Sequence, residues 1–482
     1  MGQFEMSKAK QISLALGGFV AGALITLQLP AFADRDLKTG LPIEELRTFA
    51  EVYGAIKQGY VEPVEDKKMI ANAISGMLSN LDPHSTYLDT DAFKDLQVGT
   101  QGEFGGLGIE VGMEDGLVKV ISPIEDTPAF RAGLKAGDLI FKLDETQVKG
   151  LTLNDAVKKM RGKPKTQIKL SILRKGEAKP LEITLTREII KVQSVKSKLI
   201  EPGYGWVRIT QFQENTGANL VKHLGDLYKD GPLKGLVLDL RNDPGGLLNS
   251  AIGVSSAFLP PKTKVVSTDG RTDDAKQEFQ ARPEDYLRGS KDDYLKALPS
   301  GARSVPIVVL VNSGSASASE IVAGALQDHK RAVILGSRTF GKGSVQSVLP
   351  LPGGAAIKLT TARYYTPSGR SIQAKGIDPD IVVEDSNTAF NVREADLDRH
   401  LSNDKETGKD TAKDSTPPQK DAAKPQGKAP AKPGKGGNGK DENGSGEEEA
   451  MPARIEYGSK NDAPFVQALN LLKGLQIMQN KP

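Results

Sequence analysis

Asn312-Ser313-Gly314-Ser315-Ala316-Ser317-Ala318-Ser319-Glu320 is a run of small residues set between two apolar stretches. Before it, Ile307 to Val311 form a short continuous apolar run, the mark of a buried strand. After it, Ile321, Val322, Ala325 and Leu326 recur at helical spacing. The segment therefore reads as strand, tight turn and helix amino terminus, where exposed amides and the helix dipole favour negative charge. A serine there is well placed to attack a carbonyl, because adjacent amides can hold the resulting oxyanion. Taken alone, the turn has a plainer reading: Ser317, with Glu320 three residues on, is a capping-box pattern.

Working outward, residues 336–346 read Gly-Ser-Arg-Thr-Phe-Gly-Lys-Gly-Ser-Val-Gln, with Lys342 between two glycines. A lysine acts as a general base only when neutral, which requires burial to pull its pKa from about 10.4 toward 7 or 8. The flanking glycines permit close backbone packing around the amine. The rival reading is a phosphate-cradling P-loop, but that motif needs Ser or Thr directly after the lysine, and Gly343 stands there. Upstream, the strand pattern Leu236 to Leu240 leads into Arg241-Asn242-Asp243-Pro244-Gly245-Gly246, a second small-residue turn that could add an oxyanion amide.

Residues 104–111, Phe-Gly-Gly-Leu-Gly-Ile-Glu-Val, run from a glycine-rich turn into an alternating strand. Successive glycine amides can converge on an anion, and the edge of the strand can accept an extended peptide. Downstream, Pro128-Ala129-Phe130-Arg131-Ala132-Gly133-Leu134-Lys135-Ala136-Gly137-Asp138 completes a pattern that resembles the PDZ fold. That resemblance implies that Gly106, Leu107, Gly108 and Ile109 bind the carboxylate and last side chain of a protein tail.

Together with Leu81-Asp82-Pro83-His84-Ser85, these motifs resemble the carboxyl-terminal processing (tail-specific) serine peptidases across about residues 40–385. The spacing from Ser317 to Lys342 is specific to that family. The resemblance implies an α/β, crotonase-like (ClpP/crotonase-type) peptidase core with an inserted PDZ domain and helical terminal segments that assemble dimers. It implies Ser317 as nucleophile, Lys342 as base, Gln346 as the residue orienting the lysine, and the amides of Gly245 and Ala318 as the oxyanion hole. Arg161 lies where relatives couple the PDZ domain to the active site; a solvated surface arginine is the plainer reading. Asp328 is a structural support by the same resemblance. His84 reads as a turn or packing residue, His329 is disfavoured as a base, and Trp206 reads as core. Such a site needs neither cofactor nor metal.

Composition bounds the rest. The 482 residues carry 64 Lys+Arg and 61 Asp+Glu, a formal net charge of +3 that argues against a nucleic-acid partner. There are no cysteines, which removes disulfides, thiolate zinc sites and a thiol nucleophile, and only four histidines. Lys8 and Lys10, the apolar run Ile12 to Leu29 and Ala31-Phe32-Ala33 form a secretory-signal layout, with an uncleaved anchor as its competitor. A periplasmic location follows. Residues 401–450 hold nine Lys, ten Asp+Glu, eight Gly and five Pro but no aromatic, Ile, Val or Met, too little apolar area to offset chain entropy. Phe465, Leu469, Leu472 and Leu475 then recur at helical spacing, an amphipathic helix that needs a partner surface.

The expected organisation is a signal peptide (1–33), a helical dimerisation region (34–95), a PDZ domain (96–187), the Ser/Lys peptidase (188–385), a disordered insertion (386–458) and a terminal helix (459–482). The expected activity is an endopeptidase that grips apolar C-terminal tails of envelope proteins and cleaves nearby. Its expected partners are protein substrates with apolar C-termini, a second copy of the chain through the terminal helices, and a lipoprotein adaptor. The alternatives are a PDZ scaffold without catalysis and a trypsin-type PDZ protease, whose Gly-Asn-Ser-Gly-Gly signature is absent.

Overall fold

The computed structural model describes residues 41–124, 126–177, 179–289, 292–384, 392–405 and 456–479. The signal segment lies outside them, as does most of the charged insertion. The chain divides into two units, residues 1–73 and 74–482. In the first, helix α1 (Ile43–Gly59) buries none of its residues and leaves Leu46, Phe49 and Ile56 exposed. Tyr53 Oη donates to Asp66 Oδ1 at 2.6 Å, and Lys57 pairs with the same carboxylate at the start of α2 (Asp66–Ser79), which spans the division.

The second unit opens with β1 (Thr86–Leu88), α3 (Thr90–Gln101) and β2 (Glu103–Gly106). Asp89 caps α3 by accepting the Ala92 N–H at 2.8 Å. The PDZ region follows as β3 (Ile109–Glu114), β4 (Leu117–Pro123), α4 (Pro128–Arg131), β5 (Leu139–Leu143), β6 (Thr146–Gln147), α5 (Leu153–Met160), β7 (Gln167–Leu173), β8 (Leu181–Thr186) and β9 (Glu188–Lys191). Its antiparallel sheet has the order β3-β4-β5-β7-β8, and β9 returns to pair with β2. Val118 and Val120 of β4, and Ile168, Leu170 and Ile172 of β7, alternate inward into a single core, as a period-2 strand requires.

The peptidase region runs β10 (Val195–Glu201), β11 (Tyr204–Ile209), α6 (Thr216–Leu227), β12 (Gly235–Asp239), α7 (Leu248–Phe258), β13 (Lys264–Gly270), β14 (Gln277–Gln280), α8 (Pro283–Tyr286), β15 (Ile307–Val311), α9 (Ala318–Asp328), β16 (Val333–Gly336), β17 (Ser344–Pro350), β18 (Ala356–Tyr365), β19 (Ile381–Val382) and α10 (Ala463–Gln479). Its main sheet has the order β10-β11-β12-β15-β16-β19, parallel from β11 onward. Parallel neighbours need crossovers, which α6, α7 and α9 provide. Every residue of β12 and β15 is buried; β15 accordingly reads as a continuous apolar run, while β12 ends in Asp239, whose buried carboxylate pairs with Arg208 and Arg241. A second, antiparallel sheet joins β1, β13, β14 and β17 through β18.

One correction and one further finding concern the end of the chain. The insertion expected over 386–458 is narrower, because residues 392–405 are built into the unit and Glu394 is fully buried. Its burial comes from partners distant in sequence, which local composition does not reveal. The terminal helix finds its partner surface on its own chain: Phe465, Ala468, Leu469 and Leu472 of α10 pack with Trp206, Val237, Val308 and Leu310 on one face of the main sheet. Among the described residues no helix is long and apolar enough to cross a membrane.

Leu472 is 0% exposed. Leu472→Ala should therefore cost about 2–5 kcal/mol in urea unfolding. A loss below about 0.5 kcal/mol, the range of a surface substitution, would show that α10 is not part of the fold.

Candidate active site

Strand β15 ends in the small-residue turn and delivers Ser317 at the head of α9 with φ 54° and ψ −109°. A helix-capping residue normally sits in the extended region, so this backbone is not that of an ordinary cap. A non-glycine residue held at positive φ marks a strained turn, the kind that lifts a nucleophile clear of its surroundings. The turn is held from the β12 side: Ala316 N–H donates to Asp243 O at 3.0 Å, and Ser319 Oγ donates to the same oxygen at 2.9 Å. Ser315 Oγ donates to Leu240 O at 2.8 Å.

Glu320 joins this turn to the lysine loop. Its fully buried carboxylate accepts the N–H of Ser317 at 2.7 Å, Gly341 at 2.7 Å and Lys342 at 2.9 Å, and the Thr339 hydroxyl at 2.6 Å. Burial pushes the carboxyl up to about 7, against the four donors, which favour the charged form. Tyr364, buried on β18, adds a second tie: its hydroxyl donates to Lys342 O and meets the Ser317 side chain. Burial lowers the Lys342 ammonium to about 8, with Lys358 acting in the same sense and Glu394, Glu320 and Asp82 opposing. That value gives the neutral amine a useful population near neutral pH.

A third layer lies behind the lysine loop. Gly343 N–H donates to Gln373 Oε1 at 3.0 Å, Gln373 Nε2 donates to Glu394 Oε1 at 2.9 Å, and His84 Nε2 lies 2.8 Å from Glu394 Oε2. Asp82 accepts the N–H groups of His84 and Ser85 and the hydroxyls of Ser85 and Thr360. The Asp82–Ser85 turn thus braces β18, which carries Tyr364.

Residues 203–383 match peptidase family S41, 105–185 match the PDZ domain, and 26–92 match the activating protease CtpB N-terminal domain. A carboxy-terminal-processing protease of Bartonella bacilliformis is 48% identical over 78% of this chain and 82% of its own length. The carboxy-terminal processing protease CtpA of Bacillus subtilis is 37% identical over 69% of this chain and 68% of its own length. Among solved structures, the photosystem II D1 C-terminal processing protease is 32% identical over 70% of this chain and 86% of its own, with a TM-score of 0.40. The chain belongs to peptidase family S41.

Within this S41 protein the expected site residues fall into two groups. Ser317, Lys342, Gly245 and Ala318 come together. Gly245 has φ +94°, and a Cβ there would stand 2.8 Å from Ala318 N and 2.9 Å from Ser317 Cβ, so only glycine fits. Ala318 opens α9, where N–H groups lack intrahelical partners. One expectation needs correcting: the Gly245 N–H donates to Asp243 Oδ1 at 2.8 Å, so in this arrangement it is not free for an oxyanion. The carboxyl two residues upstream closes a local Asx-type turn on it. Asp243 Oδ2 is buried without a hydrogen-bond partner, and burial pushes this carboxyl up to about 8.

Gln346 needs the second correction. Its Nε2 donates to Ser344 Oγ at 2.9 Å and, across the pairing with β18, to Thr360 Oγ1 at 3.3 Å instead of orienting Lys342. Arg161 stands 4.7 Å over the Phe104 ring and pairs with Asp95 of α3 at 3.4 Å, so its contacts are with the segment leading into the PDZ domain. Asp328 accepts Ser368 N–H at 2.9 Å and pairs with Arg370. His329 Nε2 lies 2.7 Å from Lys264 O, and Trp206 is core. Glu320 was visible in sequence only as a cap, while Tyr364, Gln373 and Glu394 carried no local signal.

The lysine must shed its proton to act as a base, so kcat/KM should rise with pH through an apparent pKa near 8. A profile flat between about pH 6 and 9 would remove Lys342 from that role. Glu320→Gln puts an amide NH2 among four donors and loosens both loops, with an expected fall in kcat of about 100-fold. Unchanged kcat in steady-state assays would mean that Glu320 does not set the geometry.

Proposed function

We propose that this S41 peptidase is a Ser/Lys endopeptidase that grips the apolar C-terminus of a protein through its PDZ domain and cuts nearby. The observation carrying the proposal is the convergence of the Ser317, Gly341 and Lys342 N–H groups on the buried Glu320 carboxylate. It ties the strained serine and the depressed lysine into one unit, which a binding scaffold would have no use for. Ser317 Oγ attacks the scissile carbonyl while neutral Lys342 Nζ takes its proton. The lysine returns that proton to the leaving amine, and an ester joins the acyl fragment to Ser317. Water, deprotonated by the same amine, then hydrolyses the ester and restores the serine.

Tail capture is supported by the glycine turn. Leu107 O accepts from Ala129 N–H at 3.0 Å, and Gly108 O accepts from Ile124 N–H at 2.9 Å. In a trans peptide the N–H points opposite to the preceding carbonyl, so the amides of Gly108 and Ile109 face away from those partners, toward an incoming carboxylate. Strand β3 pairs only with β4 among the described residues, which leaves its other edge for an added strand. Envelope substrates and a periplasmic site follow from the amino-terminal secretory pattern. The exposed stripe on α1 supports self-association through the amino-terminal region.

Ser317→Ala should abolish hydrolysis of an unstructured protein with an apolar C-terminus and leave PDZ binding of a peptide with that terminus intact. Lys342→Ala should do the same at neutral pH. Full cleavage by the Ser317→Ala protein on a gel would sink the assignment. Cleavage that requires no apolar terminus would refute the tail preference alone.

A further inference from the structure

Asp462 and Tyr457, more than two hundred residues beyond the β12 turn, reach it directly. The Arg241 guanidinium is 0% exposed. It donates Nη1 to Asp462 Oδ1 at 2.8 Å and Nη2 to Asp462 Oδ2 at 2.7 Å, while Nε and Nη2 bond the Asp239 carboxylate at 3.0 and 2.7 Å. Arg208 pairs with Asp239 at 3.2 Å and donates to Arg241 O at 2.9 Å. Two arginines and two aspartates thus form a buried group of balanced charge, one member of which comes from the terminal segment.

The next residue continues the link. Asn242 Nδ2 donates to Tyr457 Oη at 2.5 Å, and the Tyr457 ring lies 3.9 Å under the Arg208 guanidinium. On its other side, Asn242 N–H donates to Asn312 Oδ1 at 2.9 Å, and Asn312 Nδ2 donates to Asn242 Oδ1 at 3.0 Å. Asn312 Oδ1 also accepts Gly314 N–H at 3.0 Å. One side chain, Asn242, therefore bridges the terminal segment to the turn that carries Ser317, and it does so three residues before Gly245.

Asp462 is itself fixed. It accepts the Gly458 N–H at 2.8 Å, and its carbonyl accepts Val466 N–H at 2.9 Å at the head of α10. With α10 seated on the sheet, neither Tyr457 nor Asp462 is free to drift.

We propose that residues 456–462 are a clasp that positions the Arg241–Gly246 turn against Ser317, with Asp462 acting through Arg241 and Tyr457 through Asn242. Gly245 is presented to Ser317 only while this segment is seated. Neither residue touches the substrate; both are positioning residues. The inference rests on Ser317 and Lys342 being the reacting pair.

The test uses full-length Tyr457→Phe and Asp462→Asn beside wild type and Ser317→Ala. Tyr457→Phe keeps the ring under Arg208 and removes only the hydroxyl that meets Asn242, so its melting temperature should not move. Its kcat on the unstructured protein substrate should fall about tenfold with KM unchanged. Binding of an apolar-ended peptide to the PDZ domain should also be unchanged. Hydrogen exchange of the peptide covering 239–247 should quicken in both variants. Unchanged kcat and unchanged exchange in a folded Tyr457→Phe protein would overturn the clasp, as would a fall in kcat matched by the unfolded fraction. If wild type and Ser317→Ala behave alike, the peptidase reading fails instead, and the exchange measurement still decides the clasp.

Discussion

One buried carboxylate organises the catalytic half of this molecule. Glu320 has no water to solvate it, and burying an unpaired anion is prohibitive. It is tolerated because three N–H groups and a hydroxyl surround it, each such bond to a charged group contributing about 1.5–3 kcal/mol. Those donors come from two segments, the turn at Ser317 and the loop from Thr339 to Lys342. Satisfying the charge therefore requires the segments that carry Ser317 and Lys342, the proposed nucleophile and base, to lie side by side. Solvation and catalytic alignment are met by the same four bonds.

The same low-polarity setting explains the lysine. A carboxylate near an ammonium normally raises its pKa, and Glu320, Glu394 and Asp82 all act in that sense on Lys342. Burial, with Lys358 beside it, outweighs them. Each carboxylate also has other donors to satisfy: Glu394 is bonded to His84 and Gln373, and Asp82 to the His84–Ser85 turn and Thr360. Those carboxylates are held by other donors, and burial of the ammonium outweighs their attraction.

What could be read in the sequence was what local pattern encodes. The buried strands β12 and β15, the turn before α9, and the glycine turn with the Pro-Ala and Gly-Asp signature of the PDZ domain all announce themselves within about a dozen residues. Ser317 and Lys342 stood out for the same reason. What stayed hidden depends on partners far along the chain. Glu320 looked like a cap because its second role lies with residues 339–342, and Tyr364 and Glu394 matter only through contacts the chain returns to make. Gln346 went astray because its partner Thr360 lies on β18, a pairing that no local pattern announces. The limits of the insertion failed likewise: polar composition around 392–405 conceals a carboxylate that His84 and Gln373 bury.

Gly245 concentrates these threads. Three restraints act on its turn: the strand β12 that precedes it, the Asn312 and Ser319 bonds that tie it to the nucleophile, and Arg241 and Asn242 held from the end of the chain. They place the glycine against Ser317 while the Asp243 carboxylate keeps its N–H. An oxyanion forming at Ser317 would compete for that proton against a carboxylate whose other oxygen is already buried without a partner. Burial already pushes the Asp243 carboxyl up to about 8, so near neutral pH its protonated form removes the repulsion that a second anion beside this donor would meet. The turn is held in position by distant residues, and the Asp243 side chain is the group from which an oxyanion at Ser317 would have to take the Gly245 N–H.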